Sequence, residues 1–232
     1  MKLLAIETSG KMCGVCFAED THIIDELELN NGLTHSESLM PLIKDLLDKN
    51  NLKIPDLDAF VCDIGPGSFT GIRIGVATVK AFIDSYEKTL FTGVSSLEAL
   101  AYNCSENGII CSIIDAKNDN CYFALYSLDN NNYFKIISPT SASYNEMFEI
   151  LKQYSNTSIT FVGDGAISNN LSITQHFKNA KFLSDPLNNI KTSNLAIAGF
   201  NKISSNNTLD LSPMYLKKPQ AERILEEKMK KD

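Results

Sequence analysis

No apolar run in the 232-residue sequence approaches the roughly 18 residues that a membrane helix needs. The opening Leu3-Leu4-Ala5-Ile6 is cut by Glu7, too early for a signal peptide, so a cytoplasmic protein is expected. Basic excess is missing as well. A formal charge of −7 speaks against autonomous nucleic-acid binding, and any RNA would be held mostly by a partner. Cysteines at metal-ligand spacing are lacking, because the six thiols sit in apolar strands and no second Cys or His pair follows. The one close pair, Cys13 and Cys16, lies three apart on a strand and so points to opposite faces. Disulfides, redox chemistry and bound metal are not expected. A Gly-Lys-Ser/Thr phosphate loop and a Gly-x-Ser-x-Gly elbow are also absent. Only three histidines occur: His22 and His176 read as surface residues, whereas His35, just inside a capped helix, is a candidate ligand or partner contact.

What is present is an apolar content of 44%, ample for one large domain or two modest ones. Strands are expected at 2–8, 12–18 and 22–29, then a helix over 34–49 opened by the capping box Thr34-His35-Ser36-Glu37. A buried strand at 59–64, a helix at 69–84, a strand at 90–93 and a helix from the box Ser95-Ser96-Leu97-Glu98 to about 103 complete one unit. After residue 106 the order begins again. Strands at 109–115, 121–127 and 133–137, a helix from Ser143, a strand at 159–162, a turn at 163–165, a weak strand near Phe182 and a helix at 193–203 follow. The expected fold is α/β, a duplicated βββαβα architecture with subdomains 1–106 and 107–215. The stretch 216–232 is a charged tail with no broad apolar face, read as a solvated helix or a disordered end.

The loop Gly65-Pro66-Gly67-Ser68 joins a strand to a helix that Ser68 caps. Two readings stay open: free N–H groups at a positive helix end would cradle an anion, and the same glycines would allow close packing. Glu7 and Asp63, at the ends of adjacent strands, would hold Mg²⁺ or cap turns, with no third acidic ligand evident. The helices are more informative. The 34–49 helix carries Leu39, Met40, Leu42, Ile43, Leu46 and Leu47, more than one stripe, and the 69–84 helix is apolar nearly all round. Their surplus surface should be covered by a partner or by the second domain.

Ile6-Glu7-Thr8-Ser9, the run His35 to Pro41, the run Gly65 to Gly75, and Gly93-Val94-Ser95-Ser96-Leu97-Glu98 together resemble the TsaB (YeaZ) family. The match is dense over the first 103 residues and thinner through Asp115-Ala116-Lys117, Gly163-Asp164-Gly165-Ala166 and the run Pro213 to Glu222. This resemblance implies the actin-like, Hsp70-like ATPase (RNase H-like) fold. It also implies a non-catalytic subunit that binds the paralogue TsaD, with TsaE, and supports threonylcarbamoyl transfer to the anticodon-adjacent adenosine of tRNA. A homodimer is implied when TsaD is absent, and tRNA is touched only through the complex. No cofactor is expected. The metal pair His-x-x-x-His of TsaD falls here on Ser96 and Leu100, and Asp115 opens a phosphate turn without glycine. Both departures speak against independent ATP hydrolysis. The implied partner interface comprises His35, Leu39, Leu42, Leu46, Ile72, Arg73, Val76, Val79, Lys80 and Ile83. Glu7, Thr8, Ser9, Gly65, Gly67, Ser68 and Asp115 would be vestigial nucleotide or phosphate contacts. The alternative is a stand-alone ATP-dependent phosphotransferase or metal nuclease of the same fold, built on Glu7 and Asp63.

Overall fold

A computed structural model of the chain describes residues 1–30, 32–86, 89–205 and 210–217. The first sheet is built from β1 (Lys2–Glu7), β2 (Cys13–Glu19), β3 (His22–Leu29), β4 (Ala59–Asp63) and β5 (Leu90–Val94), in the order β3-β2-β1-β4-β5. The second uses β6 (Gly108–Asp115), β7 (Asn120–Asp129), β8 (Asn132–Ser143), β9 (Ile159–Val162) and β10 (Ala180–Phe182), in the order β10-β9-β6-β7-β8. Read from the opposite edge, the second order repeats the first. The expected duplicated α/β fold is therefore present. In each half an antiparallel three-strand meander is extended by two parallel strands.

The helices α1 (His35–Lys49) and α2 (Phe69–Ser85) cover one face of the first sheet. Their apolar residues close over Leu4, Ile6, Val15, Phe60 and Cys62. On the second sheet, α4 (Tyr144–Leu151), α5 (Asp164–Ser168) and α6 (Asn170–His176) cover the equivalent face. The remaining two helices are α3 (Ser96–Ala101) and α7 (Thr192–Ser204), and they fill the layer between the sheets. They lie across the expected boundary. Leu97, Leu100 and Ala101 of α3 pack on Ile110, Ala124 and Tyr126 of the second sheet, while Leu195, Ala196 and Ala198 of α7 pack on Leu3, Ala5 and Val61 of the first. Residues 210–215 also return to the first sheet, where Leu211 is buried and Met214 N donates to Ile64 O at 2.7 Å. The division at 106 thus separates two strand sets, but the last helix of the second half belongs spatially to the first lobe. Of the charged tail, residues 218–232 lie outside the described residues.

Local signals explain most element ends. Gly71 N donates to Ser68 Oγ at 3.2 Å, and Ser143 and Glu146 complete a reciprocal cap on α4. The box at α3 is only half made. Glu98 N donates to Ser95 Oγ at 3.1 Å, but the Glu98 carboxylate turns to Lys202 Nζ on α7, 2.8 Å away. Where a turn was expected at 163–165, Gly163 at φ 109° instead starts α5, and α6 follows it.

Candidate functional site

β1 and β4 are parallel neighbours, so their carboxyl ends bring Glu7 and Asp63 side by side, as the strand order required. Both are buried, with Asp63 at 0% exposure. Ser9 Oγ bridges them, 2.7 Å from Glu7 Oε1 and 2.9 Å from Asp63 Oδ2. Ser96, the first residue of α3, completes the cluster: its Oγ donates to Asp63 Oδ1 at 2.7 Å and lies 3.1 Å from Ser9 Oγ. Backbone N–H groups fill further sites, from Ser9 (2.6 Å) and Gly10 (2.9 Å) to Glu7 Oε1 and from Gly65 (2.7 Å) to Asp63 Oδ1. Burial raises the pKa of both carboxyls, and the Asp63 charge raises Glu7 further.

This donor set does not suit a cation. Hydroxyl and amide hydrogens point at Glu7 Oε1 and at both Asp63 oxygens, and among the described residues no group of three His, Cys, Asp or Glu converges anywhere. At the implied metal pair, Ser96 is consumed by Asp63 and Leu100 is buried in the inter-sheet layer.

The glycine loop resolves toward packing. Gly65 has φ 95°, open to glycine without strain. At Gly67 an added Cβ would stand 2.5 Å from Ser9 O, and at Gly71 it would fall on the Thr8 carbonyl oxygen. Ser68 N donates to Ser9 O at 2.7 Å, and Thr8 Oγ1 donates to Gly71 O at 2.8 Å. The N–H groups of Gly65, Ser68 and Gly71 are engaged by Asp63, Ser9 and Ser68 in turn. Thr8, Ser9, Gly67 and Ser68 are thus brought together, as a seam between β1 and α2.

Asp115 lies apart from them, across a cleft of about 460 Å³ between the lobes. Its carboxylate takes Lys117 Nζ at 2.6 Å and Lys117 N at 2.9 Å, and the Lys117-Asn118-Asp119 turn runs through positive φ without a glycine. Glu7, Ser9, Gly67 and Ser68 line the opposite wall.

The expected partner interface requires correction. Leu39, Leu42, Leu46, Ile72, Val76 and Val79 are all buried against the sheet, Leu46 and Val79 completely. Their spacing is one face of each helix, and the sheet uses all of it. Arg73 and Lys80 are exposed, and His35 and Ile83 are half-buried. His35 Nε2 lies 3.1 Å from Gly10 O, tying α1 to the turn after β1. What faces outward on α2 is Phe69, Thr70, Arg73, Ala77, Lys80 and Ala81, with Ile74 half-buried, and on α1 chiefly Met40, Pro41 and Lys44. Periodicity alone does not say which side of a nearly all-apolar helix meets the sheet, so it does not single out Phe69 and Met40.

A family profile described as "TsaD: tRNA N6-adenosine threonylcarbamoyltransferase" matches residues 31–229. The tRNA threonylcarbamoyladenosine biosynthesis protein TsaB of Bacillus subtilis is 30% identical over 224 residues, 96% of this chain and 96% of that one. The chain belongs to the TsaB family. The TsaB protein of Escherichia coli is 31% identical over 134 residues, 56% of this chain and 57% of its own. YeaZ from Pseudomonas aeruginosa has the same fold, with a TM-score of 0.72 at 22% identity over 93% of this chain and 99% of that structure. No helix among the described residues is long and apolar enough to cross a membrane.

Proposed function

We propose that this TsaB-family chain serves tRNA threonylcarbamoyladenosine biosynthesis in the cytoplasm as a non-catalytic subunit that docks on TsaD, with TsaE joining the complex. The observation that carries the reading is the outward face of α2. Thr70, Ala77 and Ala81 are exposed and small, Ile74 between them is half-buried, Phe69 stands exposed at the start of the helix, and Met40 is exposed on α1. Small side chains along one face let a second helix approach closely, and flanking apolar groups gain burial when it does. The same face would serve a homodimer when TsaD is absent. Two features support a non-catalytic role: Glu7 Oε1 and both Asp63 oxygens accept from protein donors, and Ser96 and Leu100 replace the metal pair that the family resemblance assigns to TsaD. An acidic chain with charge −7 leaves tRNA to the partner.

The test is Ala77→Glu, which puts a charge at the centre of the face without touching the core. It should abolish co-elution with TsaD and lower reconstituted tRNA modification while the melting temperature stays put. Full co-elution of the folded variant would sink the docking reading.

A further inference from the structure

The motif Pro213-Met214-Tyr215-Leu216-Lys217 has no role in the site above, yet its placement is specific. Gly93 N donates to Asp210 O at 2.7 Å and Met214 N to Ile64 O at 2.7 Å, which lays residues 210–214 along the open end of β4 and β5. Tyr215 then reaches α2. Its ring centre is 4.9 Å from that of Phe69, and its hydroxyl accepts a hydrogen bond from Arg73 Nε at 2.8 Å. The Arg73 guanidinium lies over the Phe69 ring, 3.8 Å from the centroid, and 5.6 Å from that of Tyr215.

Arg73 is one of two arginines in a chain with nineteen lysines. Lysine supplies exposed charge elsewhere, whereas a planar cation that stacks on a ring and donates through a fixed fork requires arginine. Arg73 is exposed, and among the described residues no carboxylate pairs with it. With Nε committed to Tyr215, the two terminal nitrogens remain for another acceptor. Two parallel N–H donors match a carboxylate, and a side chain already fixed by two rings and a hydrogen bond loses little rotamer freedom on binding. An RNA backbone would instead call for a row of cations, which does not accord with the net charge of −7.

We propose that Arg73 anchors a carboxylate of the docked protein partner, and that Tyr215 is the positioning residue that holds Arg73 for it. This rests on the docking reading, because Arg73 shares the outward face of α2 with Thr70 and Ala77. It assigns the 210–217 segment a part in the interface.

The test is a double-mutant cycle on the full chain, with affinity for purified TsaD measured by titration calorimetry. Arg73→Gln should weaken binding about tenfold and flatten its salt dependence, and Arg73→Lys should recover only part of the loss. Tyr215→Phe keeps the stacking and loses the hydroxyl, and should weaken binding about threefold in the wild type. In the Arg73→Gln background it should have no effect, because its action runs through Arg73. Melting temperatures should stay within about 2 °C throughout. Wild-type affinity in Arg73→Gln would overturn the anchor and leave docking standing. An equal loss from Tyr215→Phe in both backgrounds would overturn the positioning role. Failure of the wild type to bind TsaD would overturn the docking reading, and the anchor with it.

Discussion

Glu7 and Asp63 meet through one hydroxyl, Ser9 Oγ, at 2.7 and 2.9 Å. A hydroxyl has a single hydrogen, and two carboxylates facing it would leave one oxygen pair in repulsive contact. Burial disfavours two charges there, so the pair holds one proton to higher pH than free carboxyls do.

The shared proton makes stability depend on pH. Both groups hold protons to higher pH in the folded chain than in the unfolded one, where carboxyls titrate near pH 4. The stabilisation is thus complete below that value and is lost as pH rises through the folded values. Asp63→Asn keeps an acceptor for Ser96 and Gly65 and offers an N–H to Ser9, so it should fold and show a flatter curve. The expected difference in slope approaches about 1.4 kcal/mol per pH unit per proton between roughly pH 5 and the raised folded values, and fades above them. Superposable melting curves for the two proteins from pH 5 to 8 would contradict a shared proton.

Gly71→Ala should be among the most damaging small substitutions in the chain. Its methyl group would fall on the Thr8 carbonyl, in backbone that cannot move without displacing β1. A loss of about 3 kcal/mol or more is expected by urea denaturation, against about 1–2 kcal/mol for Gly32→Ala, where nothing lies within 4 Å and the cost is that of the backbone at φ 78°.

The six thiols should be silent. All are buried, and burial pushes Cys13 up to about 11 and Cys104 and Cys121 up to about 12. An aromatic disulfide reagent at pH 8 should titrate almost no thiol in the folded protein and six in guanidinium. Rapid labelling of any one in the native state would place it at a mobile or exposed edge.

The duplicated fold was legible because strand patterning is local, and the Glu7–Asp63 contact because a repeated βββαβα order fixes which strands become neighbours. Caps at Ser68 and Ser143 were legible because they too are local. Packing partners were not. Leu39, Leu46 and Val76 were expected to face a partner because their helices looked too apolar for one sheet, but those residues are the stripe that the sheet requires, and the exposed remainder is Met40, Phe69 and the small residues of α2. Ser96 was noticed only as a poor metal ligand, since nothing in its spacing reveals that α3 aims it at Asp63. The Glu98 side chain, assigned to a cap, found Lys202 more than a hundred residues away. Long-range choices of this kind depend on how the two lobes meet.

Because α7 closes the inner face of the first sheet, that face has no cover until residue 204 has been synthesised. On the ribosome the first lobe would emerge early but complete its core late, with Leu3, Ala5 and Val61 waiting for a helix encoded near the other end of the message. Translation order and folding order are thus uncoupled in this chain, and a nascent polypeptide stalled before α7 should remain a client for chaperones rather than a finished N-terminal domain.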